Sequence, residues 1–178
     1  MKVHEEHKKK GPKIVNIALV IVSTTRFNEL QKMEESTDKT IPLIKHLLKN
    51  YETISLYATE IVPDNEEKIK DVLNKFIVNK SIHSIIFSGG TGLTIRDITY
   101  ETIKPMLEKE IKGFGELFRN LSYKEIGPAA MLSRATGGKI KDKAIFLLPG
   151  SPKAVELAFR ELLIPELKHV VYMINKEE

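Results

Sequence analysis

Long apolar runs and helically spaced apolar positions alternate along the chain. Residues Lys13–Ser23, KIVNIALVIVS, are almost continuously apolar and rich in Val and Ile, the signature of a strand buried on both faces of a parallel sheet. The polar stretch TTRFNELQKMEESTDKT follows, and then Ile41, Ile44, Leu47 and Leu48 recur at helical spacing. That spacing predicts a helix starting near Thr37 or Asp38, with Pro42 tolerated in its first turn. Tyr51–Val62 alternates, carries β-branched and aromatic residues, and reads as a second strand stopped by Pro63. Ile69, Val72, Leu73, Phe76 and Ile77 trace one stripe of the next helix, whose acidic first turn suits the helix dipole and which Asp64 is placed to cap.

Ile82–Ser88 reads as a third strand that runs directly into the glycine turn SGGTGLTIRD. Further on, the pattern predicts helices around Ile98–Leu107 and through GFGELFRNLSYKEIG. Two strands joined by a turn at Gly137–Gly138 follow, then an amphipathic helix over Lys153–Leu163 and a short closing helix opened by Pro165. Strands alternating with helices of this length imply βαβ units and a mostly parallel sheet covered on both sides.

Composition narrows the chemistry. The chain has 178 residues, 42% hydrophobic and 29% charged, which suits one globular domain, and no apolar run approaches the ~18–20 residues of a membrane span. With no cysteine, disulfides, Cys-based zinc sites and thiol nucleophiles are excluded. The start MKVHEEHKKKGPK lacks the apolar core of a secretory signal, so a cytoplasmic protein is expected. The net charge is +4, but residues 1–13 hold five lysines against two glutamates, or +3 of that total. Residues 1–12 are expected to form a disordered basic tail ahead of a domain spanning 13–178, and neither a nucleic-acid nor a membrane partner is expected. None of the five histidines has a partner at metal-ligand spacing, and the methionines are scattered.

In open α/β sheets ligands gather where strands end and helix N-termini offer free N–H groups. Gly89, Gly90 and Gly92 would let the backbone approach an anion, with Ser88, Thr91 and Thr94 as hydroxyl donors. The turn lacks the Gly-Lys-Ser/Thr ending of a P-loop and the third glycine of a dinucleotide fingerprint. A phosphate-bearing ligand fits it, and so does a tight strand-to-helix connection with no ligand. Asp64 in VPDN, the LLPGSP turn and Glu116 in GFGELFR are further groups that can gather at the same sheet edge.

Four segments in this order, SGGTGLTIRDITYETI, GFGELFR, LSRATGG and LLPGSPKAVELAF, resemble the signature segments of the MoaB/MogA family of molybdenum-cofactor biosynthesis proteins, whose domain also occurs in gephyrin and plant relatives. The match in order and spacing runs from about Val15 to Pro165. The resemblance implies a three-layer α/β/α sandwich that assembles as trimers or hexamers and binds molybdopterin. It also implies adenylylation of the terminal phosphate of that pterin with ATP and magnesium, or, alternatively, a non-catalytic pterin-binding or carrier role on the same fold. A molybdenum-insertion protein is a further expected partner.

By the same resemblance, Ser88, Gly89, Gly90, Thr91 and Gly92 hold the pterin or its phosphate, and Gly150, Ser151 and Pro152 form the opposing wall. Asp64 and Asp97 correspond to the family's catalytic acids. Transfer between two anionic groups suits Mg²⁺ held by one or two carboxylates plus phosphate oxygens, with Asp97 as the metal- or phosphate-organising acid and Asp64 as its partner. Each also has a plainer reading as a helix cap. Glu116 is expected to meet the pterin's N–H donors or to be a solvated acid. Ser133 lies in a segment near the site, and Arg134 suits either a phosphate or an ion pair. One departure stands out: where many relatives have Asp-x-Ser-Gly, this chain has Asp38-Lys39-Thr40-Ile41.

Overall fold

The computed structural model describes residues 10–176; most of the basic tail expected over residues 1–12 therefore lies outside the described residues. Six strands, β1 (Val15–Val22), β2 (Ile54–Val62), β3 (Ser84–Ser88), β4 (Lys109–Glu110), β5 (Thr136–Ile140) and β6 (Lys143–Leu148), form one sheet in the order β2-β1-β3-β6-β5-β4. The first four in that order run parallel, and β5 and β4 add antiparallel at one edge.

The long apolar run of β1 divides by residue parity, because successive side chains of a strand face opposite ways. Val15, Ile17, Leu19 and Ile21 enter one core with α2 (Thr40–Leu48), α5 (Lys112–Ile126), α6 (Pro152–Ala158) and α7 (Ile164–Asn175). Ala18, Val20 and Val22 enter the other with α3 (Glu66–Ile77) and Ile103 of the short α4 (Thr99–Ile103). Helices on both faces of the sheet give the three-layer sandwich.

Three sequence expectations change. An additional helix, α1 (Thr24–Gln31), occupies the first half of the polar stretch after β1, and none of its residues is buried. The helix expected from Thr37 or Asp38 begins at Thr40; Asp38 precedes it and accepts from the N–H groups of Thr40 (3.2 Å) and Ile41 (2.9 Å). The turn placed at Gly137–Gly138 falls instead on Lys141–Asp142, between the paired Ile140 and Lys143, with Lys141 at φ 52°. The two glycines lie inside β5, where a Cβ on Gly137 would stand 2.6 Å from the Phe146 ring and one on Gly138 2.5 Å from the Lys109 carbonyl oxygen. Close packing, not turn geometry, requires them.

Pro165 does stand at the start of α7, which at 12 residues is longer than expected. It is joined to α6 by a π-helical turn, Phe159–Leu163; the proline lacks the N–H that would have continued regular helical bonding.

Candidate functional site

The parallel strands β1, β2, β3 and β6 all end on the same edge of the sheet, so the segments after Val22, Val62, Ser88 and Leu148 meet there. They enclose a cavity of about 600 Å³ lined by Gly89, Gly90, Thr91, Gly92, Asp64, Asp97, Ser133 and Gly150, with Ser23, Thr25, Arg26 and Thr37 from the region of α1.

The glycine loop is shaped by what stands behind it. Gly89 and Gly90 have φ of 107° and 62°, in the region where a side chain is strained. A Cβ on Gly89 would collide with the Val22 carbonyl oxygen; one on Gly90 would collide with Thr99 Oγ1 and lie 3.2 Å from Asp64 Oδ1. The Gly89 N–H donates to the Leu148 carbonyl (3.1 Å) and the Thr99 N–H to the Gly90 carbonyl (2.8 Å). The N–H groups of Gly90 and Thr91 have no acceptor among the described residues, which leaves them for a ligand.

Asp64 does not cap α3. The adjacent Asn65 does so, its side-chain oxygen accepting from Lys68 N–H at 3.0 Å. Asp64 is thereby released to the β1–α1 junction, where Oδ2 accepts from the Thr24 N–H (2.9 Å) and hydroxyl (2.8 Å). Its Oδ1 accepts no hydrogen bond among the described residues and faces Gly90.

Asp97 likewise makes no capping bond to α4. Its Oδ2 accepts from Thr94 N–H (2.9 Å) and Thr94 Oγ1 (2.6 Å), folding the acid back onto the glycine loop, where a Cβ on Gly92 would lie 2.7 Å from it. Burial pushes the Asp97 carboxyl up. The hydrogen bonds from Thr94 and from the Gly92 N–H, with the Arg134 charge, outweigh that and hold it below the usual aspartate value. Both acids therefore sit on separate loops at one cavity.

Arg134 works behind the loop. Its guanidinium donates to the carbonyls of Thr91 (2.9 Å) and Gly92, pairs with Glu101, and stacks over the Tyr100 ring at 4.7 Å. It is a half-buried strut whose hydrogen bond, and then its charge, hold the Glu101 carboxyl low.

The remaining expected residues divide. The Ser88 side chain is buried, and its hydroxyl donates to the Pro149 carbonyl (3.1 Å), so it shapes the loop from within. Ser151 precedes α6, which Pro152 opens; Ser151 lines a neighbouring, mostly apolar cavity of about 310 Å³ instead. Glu116 lies in another depression, of about 480 Å³, with Lys112 and Arg119. Ser133 is common to all three hollows. Thr40 of the Asp38-Lys39-Thr40-Ile41 run is buried with an unpaired hydroxyl and does not line the main cavity.

The α1 contribution was not anticipated, although a hydroxyl run directly after a buried strand is a recognisable capping signal; Ser23 caps α1 by accepting from Arg26 N–H at 3.4 Å. Among the described residues no group of three or more His, Cys, Asp or Glu is arranged to hold a metal, and no helix is long and apolar enough to cross a membrane. Two carboxylates, with Asp64 Oδ1 uncommitted among the described residues, suit a hard cation that completes its shell with phosphate oxygens and water.

The comparisons agree with this architecture. The family described as "probable molybdopterin binding domain" matches residues 18–169. The molybdenum cofactor biosynthesis protein B of Bacillus anthracis is 43% identical over 174 residues, covering 97% of this chain and 98% of that protein; that of Bacillus subtilis strain 168 is 41% identical over 175 residues, covering 98% of each. A crystal structure of a molybdenum cofactor biosynthesis protein B superposes with a TM-score of 0.83 at 41% identity, over 93% of this chain and 99% of that one. The tungsten cofactor synthesizing protein MoaB from Pyrococcus furiosus does so with a TM-score of 0.78 at 36% identity, over the same shares. On fold and sequence, this chain belongs to the molybdopterin-binding-domain family of molybdenum cofactor biosynthesis proteins.

Proposed function

We propose that the chain acts in molybdenum cofactor biosynthesis as a molybdopterin adenylyltransferase. In this reaction a terminal phosphate oxygen of molybdopterin attacks the α-phosphorus of ATP, a new phosphoanhydride bond forms, the bond to the β-phosphate breaks, and pyrophosphate leaves. One observation carries the reading: Asp64 and Asp97, from separate loops, line the same cavity as the glycine turn.

The residues have distinct tasks. The free N–H groups of Gly90 and Thr91 receive phosphate oxygens, where the backbone curvature of Gly89 and Gly90 admits close approach. Asp64, tied to Thr24 through one oxygen, keeps the other available, and Asp97 stays ionised under the hydrogen bonds of Thr94. Mg²⁺ held by these acids would neutralise charge between two phosphorylated substrates. The rest of the catalysis is positioning. Ser133 and Gly150 complete the cavity, while Glu116 and Ser151 are available to the pterin only if it extends into the adjoining hollows, and Pro152 lines none of the three and acts by opening α6. A homotrimer or hexamer, and a molybdenum-insertion protein as recipient of the product, belong to the same proposal.

The test is incubation with molybdopterin, ATP and Mg²⁺, followed by measurement of pyrophosphate and of adenylylated pterin. Release of both in equal amounts is expected. A folded sample that binds both substrates yet releases neither product would favour the carrier role.

A further inference from the structure

Arg26 carries the single positive side-chain charge among the residues lining the glycine-loop cavity. Its side chain is 21% exposed, and its guanidinium donates no hydrogen bond among the described residues; its nearest carboxylate is Asp38, with Nη1 and Oδ1 3.8 Å apart. That separation exceeds a hydrogen bond. Asp38 is itself 3% exposed in its side chain and already engaged with the N–H groups of Thr40 and Ile41. It steadies the guanidinium by charge while leaving the donor fork unsatisfied. A guanidinium that lines the cavity with no protein acceptor among the described residues has its five N–H donors available to a ligand's oxygens.

The cavity also needs such a group. Asp64 and Asp97 both present negative charge, which would repel a phosphate unless a cation intervenes. We propose that Arg26 is the anion-selecting residue of this cavity, its guanidinium fork receiving a phosphate oxyanion of the ligand. The inference rests on the phosphate-binding reading of the same site and extends it to α1, a helix with no fully buried residue. A planar fork matches two phosphate oxygens at once, which a lysine ammonium cannot do. The oxyanion belongs either to the nucleotide or to the phosphorylated pterin.

Calorimetric titration of the full chain with inorganic pyrophosphate, ATP and molybdopterin, each with and without Mg²⁺, tests the assignment on wild type, R26K and R26Q. R26Q is expected to weaken pyrophosphate binding about tenfold or more, with a shallower salt dependence and an unchanged circular dichroism spectrum. R26K is expected to fall between, because it keeps the charge facing Asp38 but not the fork. A parallel loss for ATP alone assigns the oxyanion to the nucleotide; a loss for molybdopterin alone assigns it to the pterin. Should R26Q not fold, R26K decides: several-fold weaker binding supports the proposal and unchanged binding overturns it. Wild-type affinity in R26Q, or failure of wild type to bind any of the three phosphates, also overturns it. Wild type that binds pyrophosphate but forms no adenylylated product removes the transferase reading and leaves Arg26 to be judged by binding alone.

Discussion

The two ends of the parallel strands treat polar groups in opposite ways. At the end where the strands begin, His83 Nδ1 accepts from the Asn16 N–H (2.9 Å), Asn16 Nδ2 donates to the Ser81 carbonyl (2.9 Å), and the buried Lys143 ammonium bonds Asp142 (2.8 Å). Asn175 ties α7 to the same corner through the Asp142 carbonyl (3.2 Å). At the end where the strands finish, the N–H groups of Gly90 and Thr91, one oxygen of Asp64 and the Arg26 guanidinium have no such partner among the described residues. Polar groups satisfied by the chain itself stabilise the fold; those the chain shapes but leaves open are available to a ligand.

This contrast can be broken at either end. The largest effect is expected for Asp97→Ala, which should lower adenylyl transfer by about 100-fold or more while changing the unfolding free energy by less than about 1 kcal/mol. Pyrophosphate release and denaturant titration measure the two, and an insoluble variant would count against a site role. Gly90→Ala should lose about 2 kcal/mol of stability, because its φ of 62° and the blocked space at Thr99 Oγ1 both oppose a Cβ; thermal unfolding checks it, and a wild-type melting temperature would refute the strain.

At the opposite edge, Lys143→Ala should cost about 1–2 kcal/mol, moderated because Asp142 is half exposed and readily hydrated, and should leave phosphate binding unchanged. The smallest effect is a pH dependence. Burial and then the Lys143 charge lower the His83 pKa, against an opposing contribution from Asp142. A depressed folded value means that the stability from neutral His83 is fully present above the ordinary histidine range and is lost as pH falls through the folded value. Melting curves taken downward from pH 7 should show this loss in wild type and not in His83→Gln. The loss tied to Asp97 belongs to a separate window, beginning as pH falls toward the ordinary aspartate value and completed below it.

Much of this was legible in the chain and some was not, for physical reasons. The buried run of β1 and the stripe of α3 announce themselves by period, since both bury a continuous face. Helix α1 has no fully buried residue and so leaves no apolar stripe; the residues it brings to the cavity, Thr25 and Arg26, were missed with it. Gly137 and Gly138 look like a turn because composition cannot distinguish freedom of φ from room for a neighbour. Asp64 and Asn65 are adjacent residues of equal capping aptitude, and only the fold shows that the amide takes the helix while the acid turns to Thr24. Glu116 shares a motif with the site but lies across Ser133 from the main cavity.

The Arg134 contacts fix an electrical polarity along the loop. In a trans peptide the carbonyl and the following amide point in opposite directions. With the Thr91 carbonyl drawn rearward by the guanidinium, the next amide, that of Gly92, is turned toward Asp97. With the Gly90 carbonyl engaged by the Thr99 N–H, the Thr91 amide is directed away from that helix. An arginine held behind the loop thus sets which way the amides of the cavity rim point.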